Sequence, residues 1–405
     1  MPLPIRSAHR RRADILAQSC RNGARYNRAM APTAALALLG GLTPAAFLRR
    51  HWQKRALLVS HAIPGFAGCL SPAELFALAA RDDVESRVVL REQGQWSTLE
   101  GPFPKSAFRQ LPRKGWTLLV HGVNLHIPAG DALLRQFAFI PYARLDDLMV
   151  SYAVAGGGVG AHFDSYDVFL LQGNGRRRWR VSRQRDLTLR RGLPLKILAR
   201  FRPTSSWTLD PGDMLYLPPD HAHEGVAIEA CTTYSIGFRA PSTQELGIAF
   251  LDWLRDNIAL DGRYVDPDLG VTDRPARIGA RMQSQCGAML AQMRWDQATI
   301  ARFVGSFLTE PKPHVTFNRP QQRVSLIAFA RTARRRGLRL DPRTQFLYDD
   351  HWVYINGASI ARSRGQRSVL EGLANHREIA GARLTRPTDL RLLHEWYCDG
   401  FLDFS

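Results

Sequence analysis

The chain has 405 residues, 45% of them apolar, enough for two or three domains with a sizeable core, and no apolar run approaches the length of a membrane span. Its five cysteines (Cys20, Cys69, Cys231, Cys286, Cys398) are scattered, with no CxxC pair, which argues against a disulfide frame or a structural zinc site and for a reducing, cytoplasmic setting. The net charge of +19 suits acidic partners such as RNA or a ribosome surface, or equally the free arginine usage of a GC-rich genome.

The first thirty residues hold seven arginines and one acid. They read as a disordered extension, or as sequence upstream of a start at Met30, with a transit peptide as the other reading. Thr43 then caps a helix that has Pro44 in its first turn, and Ser71-Pro72-Ala73-Glu74 repeats the arrangement with a capping box. Residues 87–90 and 95–99 alternate as a hairpin about Gln93-Gly94, and 116–120 form a strand. A barrel is expected over about 148–238. Pro241 punctuates the chain. Residues 243–260 have helical period, with Leu246, Phe250, Trp253, Leu254 and Ile258 on one stripe, and helical character continues over 278–293 and 298–308. Glu310-Pro311-Lys312-Pro313 is a linker. Beyond it, 324–328, 346–348 and 352–355 read as strands, and 367–375 and 388–398 as helices. The cluster Arg331, Arg334, Arg335, Arg336 and Arg339 is a solvated basic face that could touch nucleic acid.

The segment Gly160-Ala161-His162-Phe163-Asp164, followed far downstream by His221-Ala222-His223-Glu224-Gly225, carries the chemistry. A His-x-Asp pair and one distant His form the facial triad that holds Fe(II) and leaves positions open for a cosubstrate and dioxygen. Residues i and i+2 of a strand point to one side, so His162 and Asp164 can reach one metal, and the third ligand comes from another strand, as His221 or His223. The run of glycines at 156–158 and 160 suits close backbone approach. Val168-Phe169-Leu170-Leu171-Gln172 reads as a buried strand ended by a tight turn at Gly173-Asn174-Gly175, with a basic strand returning from Arg176. A second such unit follows Pro211-Gly212-Asp213, with strand Met214–Leu217, and 232–238 is another strand. Two short hairpin-like units bearing metal-capable residues suit a double-sheet jelly roll.

The blocks GGGVGAHFDSYDVFLLQGNGRRRWRV, LDPGDMLYLPPDHAHEG and TTYSIGFRAP resemble the JmjC-type ribosomal oxygenases, and within them the bacterial branch that hydroxylates an arginine of large-subunit ribosomal protein sixteen. The resemblance runs from about Leu42 to Phe250 and more weakly to the end. It implies an α+β chain: a double-stranded β-helix oxygenase domain (31–240), a helical dimerisation module (241–310) and a winged-helix-like domain (319–405). It also implies Fe(II) held by His162, Asp164 and His223, since the family's ligand directly precedes Glu-Gly, and 2-oxoglutarate clamped by Arg177, with dioxygen as the other cosubstrate. Asp147 matches the acid that faces the substrate arginine. Tyr166 would pack on that side chain's alkyl part, and Ser235 would add a hydrogen bond. Since substrate and enzyme are both basic, a locally acidic mouth is expected from Glu85, Asp146, Asp147 and Asp167. The implied activity is hydroxylation at C3 of that arginine by a homodimer. The alternatives are a related oxygenase acting on histidine or methyl-lysine, and a non-catalytic metal-binding factor associated with ribosomes or nucleic acid.

Overall fold

The structure is a computed structural model that describes residues 34–104, 106–322, 324–362 and 367–405. The expectation for the first thirty residues lies outside them. The chain divides into two units. One takes in the chain up to Ala240 with Lys312–Thr344 and Gly372–Ser405; the other is Pro241–Pro311 with Gln345–Glu371.

The core of the first unit opens with β1 (Leu57–Val59), β2 (Ser86–Glu92), β3 (Gln95–Glu100), β4 (Trp116–Val120), β5 (Leu145–Ala153) and β6 (Val168–Gln172). It continues with β7 (Arg177–Ser182), β8 (Ser205–Leu209), β9 (Met214–Leu217), β10 (Ala222–Ala227) and β11 (Cys231–Phe238). Eight strands form an antiparallel sheet in the order β1-β9-β6-β11-β5-β4-β2-β3, and three form a second, in the order β10-β7-β8.

Strand β6 shows why the sheets face each other. All five of its residues are buried, because both faces of the strand are covered. Phe169 and Leu171 join Phe47, Tyr216 and Ile236 in the main core, while Val168 and Leu170 pack with Trp179, Val181 and Leu209 of the small sheet. The result is a double-stranded β-helix, with helices on the outer face of the large sheet. These include α1 (Pro44–Arg50), α2 (Pro72–Leu78) and α3 (Pro128–Arg135), which place Phe47, Leu75, Leu133 and Leu134 in that core. Thr43 Oγ1 accepts the Ala46 N–H at 3.1 Å, and Ser71 with Glu74 forms both halves of a capping box, as their sequences predict. Gln93 and Gly94 both have positive φ in the turn joining β2 to β3, as the tight hairpin requires.

Two expectations change here. The sheet extends well before residue 148, because β1, β2, β3 and β4 all belong to it. In addition, β6 and β7 are not a hairpin. Gly173-Asn174-Gly175 carries the chain from one sheet to the other, and a Cβ on Gly175 would lie 2.2 Å from the Ala230 carbonyl oxygen. A tight turn between two strands has the same composition in either case.

The second unit holds α4 (Thr243–Asn257), α5 (Ala280–Leu290) and α6 (Gln297–Thr309). Helix α4 stops short of the predicted 260. The Asn257 side chain donates to the Trp253 carbonyl at 2.8 Å, and Ile258 is already extended. Its predicted stripe packs inward, with Phe250 5.1 Å from the Phe303 ring, yet Ile248 and Leu251 are exposed.

In the first unit, α7 (Leu326–Arg336) replaces the strand expected at 324–328. Ser325 Oγ caps the Ala328 N–H at 3.3 Å, and Phe329 and Ala333 form a helical stripe that the short apolar run disguised. The C-terminal part also includes β12 (Leu338–Leu340), β13 (Phe346–Tyr348), β14 (Trp352–Ile355), β15 (Ala358–Ala361), α8 (Arg367–His376), β16 (Glu378–Ile379), α9 (Pro387–Cys398) and β17 (Leu402–Phe404). Among the described residues, no helix is long and apolar enough to cross a membrane.

Candidate metal centre

His162 and His223 are joined main chain to main chain. The His162 N–H donates to the His223 carbonyl at 2.9 Å, and the His223 N–H to the His162 carbonyl at 2.7 Å. This is an isolated antiparallel bridge, so His162 lies on an extended segment leading into β6 rather than within a strand, while His223 sits in β10. The i, i+2 spacing still turns Asp164 to the same side. One donor atom from each of His162, Asp164 and His223 lies within 4.8 Å of the other two. His223 Nε2 is 3.6 Å from Asp164 Oδ2, and the two imidazole centroids are 4.2 Å apart.

The backbone also sets the tautomers. His162 Nδ1 lies 3.0 Å from the Gly160 carbonyl, and His223 Nδ1 2.8 Å from the His221 carbonyl. A carbonyl can only accept, so each Nδ1 carries the hydrogen and each Nε2 keeps its lone pair for a metal. Burial, and then the charge of His162, pushes the His223 imidazole down to about 4, so it is neutral at pH 7. His221 stands apart. Its Nδ1 lies 3.1 Å from the Pro219 carbonyl, and it does not belong to the cluster.

The glycines explain how the segments close. A Cβ on Gly158 would lie 2.4 Å from the Gly225 carbonyl oxygen, and one on Gly225 would lie 2.7 Å from the Trp179 ring. The glycine run before His162 and the Gly that follows His223-Glu224 are therefore parts of one contact.

A cavity of about 350 Å³ opens on the cluster, and His162, Asp164, His223, Arg177, Asp147, Tyr166 and Ser235 all line it. Strand parity separates Arg177 from its neighbours. Arg177 and Trp179 face inward and are 5% exposed, whereas Arg176 and Arg180 pair outward with Glu229 and Glu224. Arg177 Nε and Nη2 are buried with no protein partner, and its Cζ stands 5.8 Å from the Trp179 ring centroid. Such a guanidinium fits a carboxylate that enters the cavity. With two imidazole Nε2 atoms and one carboxylate converging, the residues also fit a divalent ion of the Fe(II) type.

The opposite wall comes from alternate residues of β5 and β11. Asp147, Met149, Ser151, Thr233 and Ser235 face the cavity, while Leu148, Val150, Tyr234 and Ile236 face the helix-side core. Asp147 is 8% exposed, and its Oδ2 accepts the Gly122 N–H at 3.0 Å. Burial alone would raise its carboxyl. His121 at 3.6 Å and Lys312 at 3.7 Å more than offset this and hold it at about 2. Tyr166, 41% exposed, stands at the mouth, and burial of its hydroxyl, with Asp164 nearby, raises its pKa.

Asp167 must be removed from the acidic mouth. It is fully buried, accepts Tyr216 Oη at 2.6 Å and Gln53 Nε2 at 3.0 Å, and braces β9 from behind the site. It directly precedes the fully buried strand β6, and the apolar run that follows it was the available signal. Sequence reasoning also passed over Trp179, His121 and Lys312. The first could have been found by extending the Arg177 parity by two residues.

Two domain families match the chain: a JmjC domain over residues 132–246 and a ROXA-like winged helix over 292–403. The chain is 37% identical to the Escherichia coli ribosomal protein uL16 3-hydroxylase over 278 residues, spanning 68% of this chain and 74% of that protein. The chain belongs to the JmjC-type ribosomal oxygenases. A probable ribosomal oxygenase of Haemophilus influenzae is 36% identical over 249 residues, 60% of this chain and 59% of the relative. The crystal structure of Escherichia coli YcfD superposes with a TM-score of 0.78 at 32% identity, covering 90% of this chain and 98% of that one. The same ribosomal oxygenase in complex with cobalt and 2-oxoglutarate gives a TM-score of 0.77. The α+β reading is thus met by a JmjC core and a winged-helix family match.

Proposed function

We propose that this ribosomal oxygenase is an Fe(II)- and 2-oxoglutarate-dependent hydroxylase acting on C3 of an arginine in large-subunit ribosomal protein uL16. The observation that carries this is the convergence of His162, Asp164 and His223 on one side of a cavity whose other wall bears Asp147. Support comes from a relative that is a uL16 3-hydroxylase and from a relative that binds cobalt, a stand-in for iron, together with 2-oxoglutarate.

The two imidazole Nε2 atoms and the Asp164 carboxylate would hold Fe(II), and Arg177 would clamp the distal carboxylate of 2-oxoglutarate. Bound together there, Fe(II) and 2-oxoglutarate supply the chemistry that puts one atom of dioxygen into a C–H bond and releases succinate and carbon dioxide. The protein's own residues select and aim the bond. Asp147, ionised and nearly buried, anchors the guanidinium beyond the reacting carbon. Tyr166 packs along the alkyl stem, and Ser235 donates to the substrate. Gly158, Gly225 and Trp179 close the backbone around the ligands and keep water from that side.

A homodimer through the helical module of 241–310 is part of this reading. It is supported by the exposed Ile248, Leu251, Met282 and Leu290 of α4 and α5. Sedimentation velocity tests it, with a single species of twice the chain mass expected. The domain limits of 31–240 and 319–405 and a cytoplasmic site of action go with it. So does nucleic-acid contact through the arginines of α7, which loss of binding to ribosomal RNA in an Arg331→Ala, Arg335→Ala variant tests.

The test of the reaction is mass spectrometry of a uL16 peptide spanning the candidate arginine, incubated with enzyme, Fe(II) and 2-oxoglutarate in air. The expected result is one added oxygen on arginine, absent without 2-oxoglutarate and absent with His162→Ala. Consumption of 2-oxoglutarate without peptide oxidation would refute the substrate and keep the chemistry.

A further inference from the structure

Asp146 and Asp147 stand together at the start of β5, and their partners are unequal. Asp146 Oδ1 lies 3.5 Å from Arg239 Nε and 3.4 Å from Lys312 Nζ. Asp147 pairs instead with His121 and with the same Lys312 ammonium, 3.7 Å away. Lys312 lies between Pro311 and Pro313. The following proline restricts its backbone to extended conformations, so the position is held by the chain rather than by a helix or strand. Its side chain is 36% exposed, whereas that of Asp147 is 11% exposed. Burial would lower the ammonium pKa, but Asp147 and Asp146 raise it, so Lys312 stays charged.

A positive head on a flexible alkyl stem, laid against Asp147, is the same kind of group as the end of a cationic substrate side chain. We propose that Lys312 is a tethered occupant of the substrate's cation site, a specificity-determining residue that an incoming guanidinium must displace. This rests on the reading of Asp147 as the substrate anchor. An ionised, nearly buried carboxylate needs a counter-charge between turnovers, and Lys312 provides it. Displacement then sorts substrates. A guanidinium can present two parallel N–H groups to one carboxylate, which the point charge of Lys312 cannot match. A substrate lysine offers only the same ammonium, and must compete with one already held at high local concentration. Lys312 therefore weakens all cationic side chains, and lysine most.

The experiment measures binding of labelled peptides to full-length protein carrying Mn(II) and 2-oxoglutarate under nitrogen, by fluorescence anisotropy. The peptides bear a central arginine or, in its place, lysine. Lys312→Met keeps the stem and removes the charge. It should tighten the arginine peptide about fivefold and the lysine peptide by more, about tenfold, narrowing the preference between them. Lys312→Gln serves where methionine perturbs folding, with the same expectation. Asp147→Asn tests the underlying reading separately and should weaken the arginine peptide in either background. If Asp147→Asn leaves its affinity unchanged, the anchor reading fails, and the proposal with it. If Asp147→Asn weakens binding while both Lys312 variants bind arginine and lysine peptides as the parent does, or less tightly, the anchor stands and the tethered occupant is refuted.

Discussion

Replacing Arg177 by methionine should move stability and cosubstrate affinity in opposite directions. Arg177 is 5% exposed, with Nε and Nη2 lacking protein partners. Holding a cation in that position costs several kcal/mol of desolvation, of which the contact with the Trp179 ring at 5.8 Å returns about 1 kcal/mol. Methionine fills most of the same volume without a charge or a donor. Metal-free Arg177→Met should therefore be more stable than the parent by about 1–3 kcal/mol, a rise of several degrees in Tm. Binding of 2-oxoglutarate should lose about 2–5 kcal/mol, since truncating one partner of a buried, hydrogen-bonded charge pair costs that much, which is a factor of about 30 to several thousand in Kd. Calorimetric titration of the Mn(II)-loaded protein gives the second number, and thermal unfolding of the metal-free protein gives the first. A variant that unfolds earlier and binds 2-oxoglutarate within threefold of the parent would show Arg177 to be a framework residue and would refute the reasoning.

His223→Ala should abolish Mn(II) binding by calorimetry, whereas His221→Ala should retain it; the reverse pattern would show that the wrong imidazole has been placed in the cluster. Tyr216→Phe removes a 2.6 Å hydrogen bond to the buried carboxylate of Asp167 and should cost about 2–3 kcal/mol in urea unfolding, with no change in substrate affinity. Gly225→Ala drives a methyl group against the Trp179 ring and should cost about 1–3 kcal/mol, together with weaker metal binding because His223 moves with its strand. The acid cluster carries a pH signature. The Asp147 carboxyl is held at about 2 against an ordinary 3.8, so it contributes about 2 kcal/mol above pH 4 that is lost as pH falls through 2. The His121 imidazole is raised above its ordinary 6.5, so its share is full below that value and lost as pH rises through the folded-state value. The stability difference between the parent and Asp147→Asn should therefore peak between about pH 4 and 6. A flat difference from pH 3 to 9 would contradict this.

Much of the site was legible because its parts are local. The His-x-Asp spacing, the glycine run and the capping residues of α1 and α2 each act over a few positions, and composition reports them directly. The rest required knowing which strands are neighbours. Asp167 looks like any acid near a metal ligand until Tyr216 and Gln53, far away in the chain, arrive to bind it. Lys312 reads as a linker residue because nothing local marks it for Asp147, 165 positions earlier in the sequence. The corner at Gly173–Gly175 has hairpin composition, since a turn does not encode which sheet its second strand joins. At 324–328 a short apolar run fitted both periods, and the Ser325 cap was the deciding feature.

The paired main-chain bonds between His162 and His223 have a consequence for a cell short of iron. The segments bearing the ligands are clasped to each other by the polypeptide itself, so the ion is not what keeps the jelly roll shut. A chelator should strip such a protein without melting it, and an emptied copy can wait, intact, to be refilled when iron returns. Loss of the modification under iron limitation would then be reversible without new synthesis.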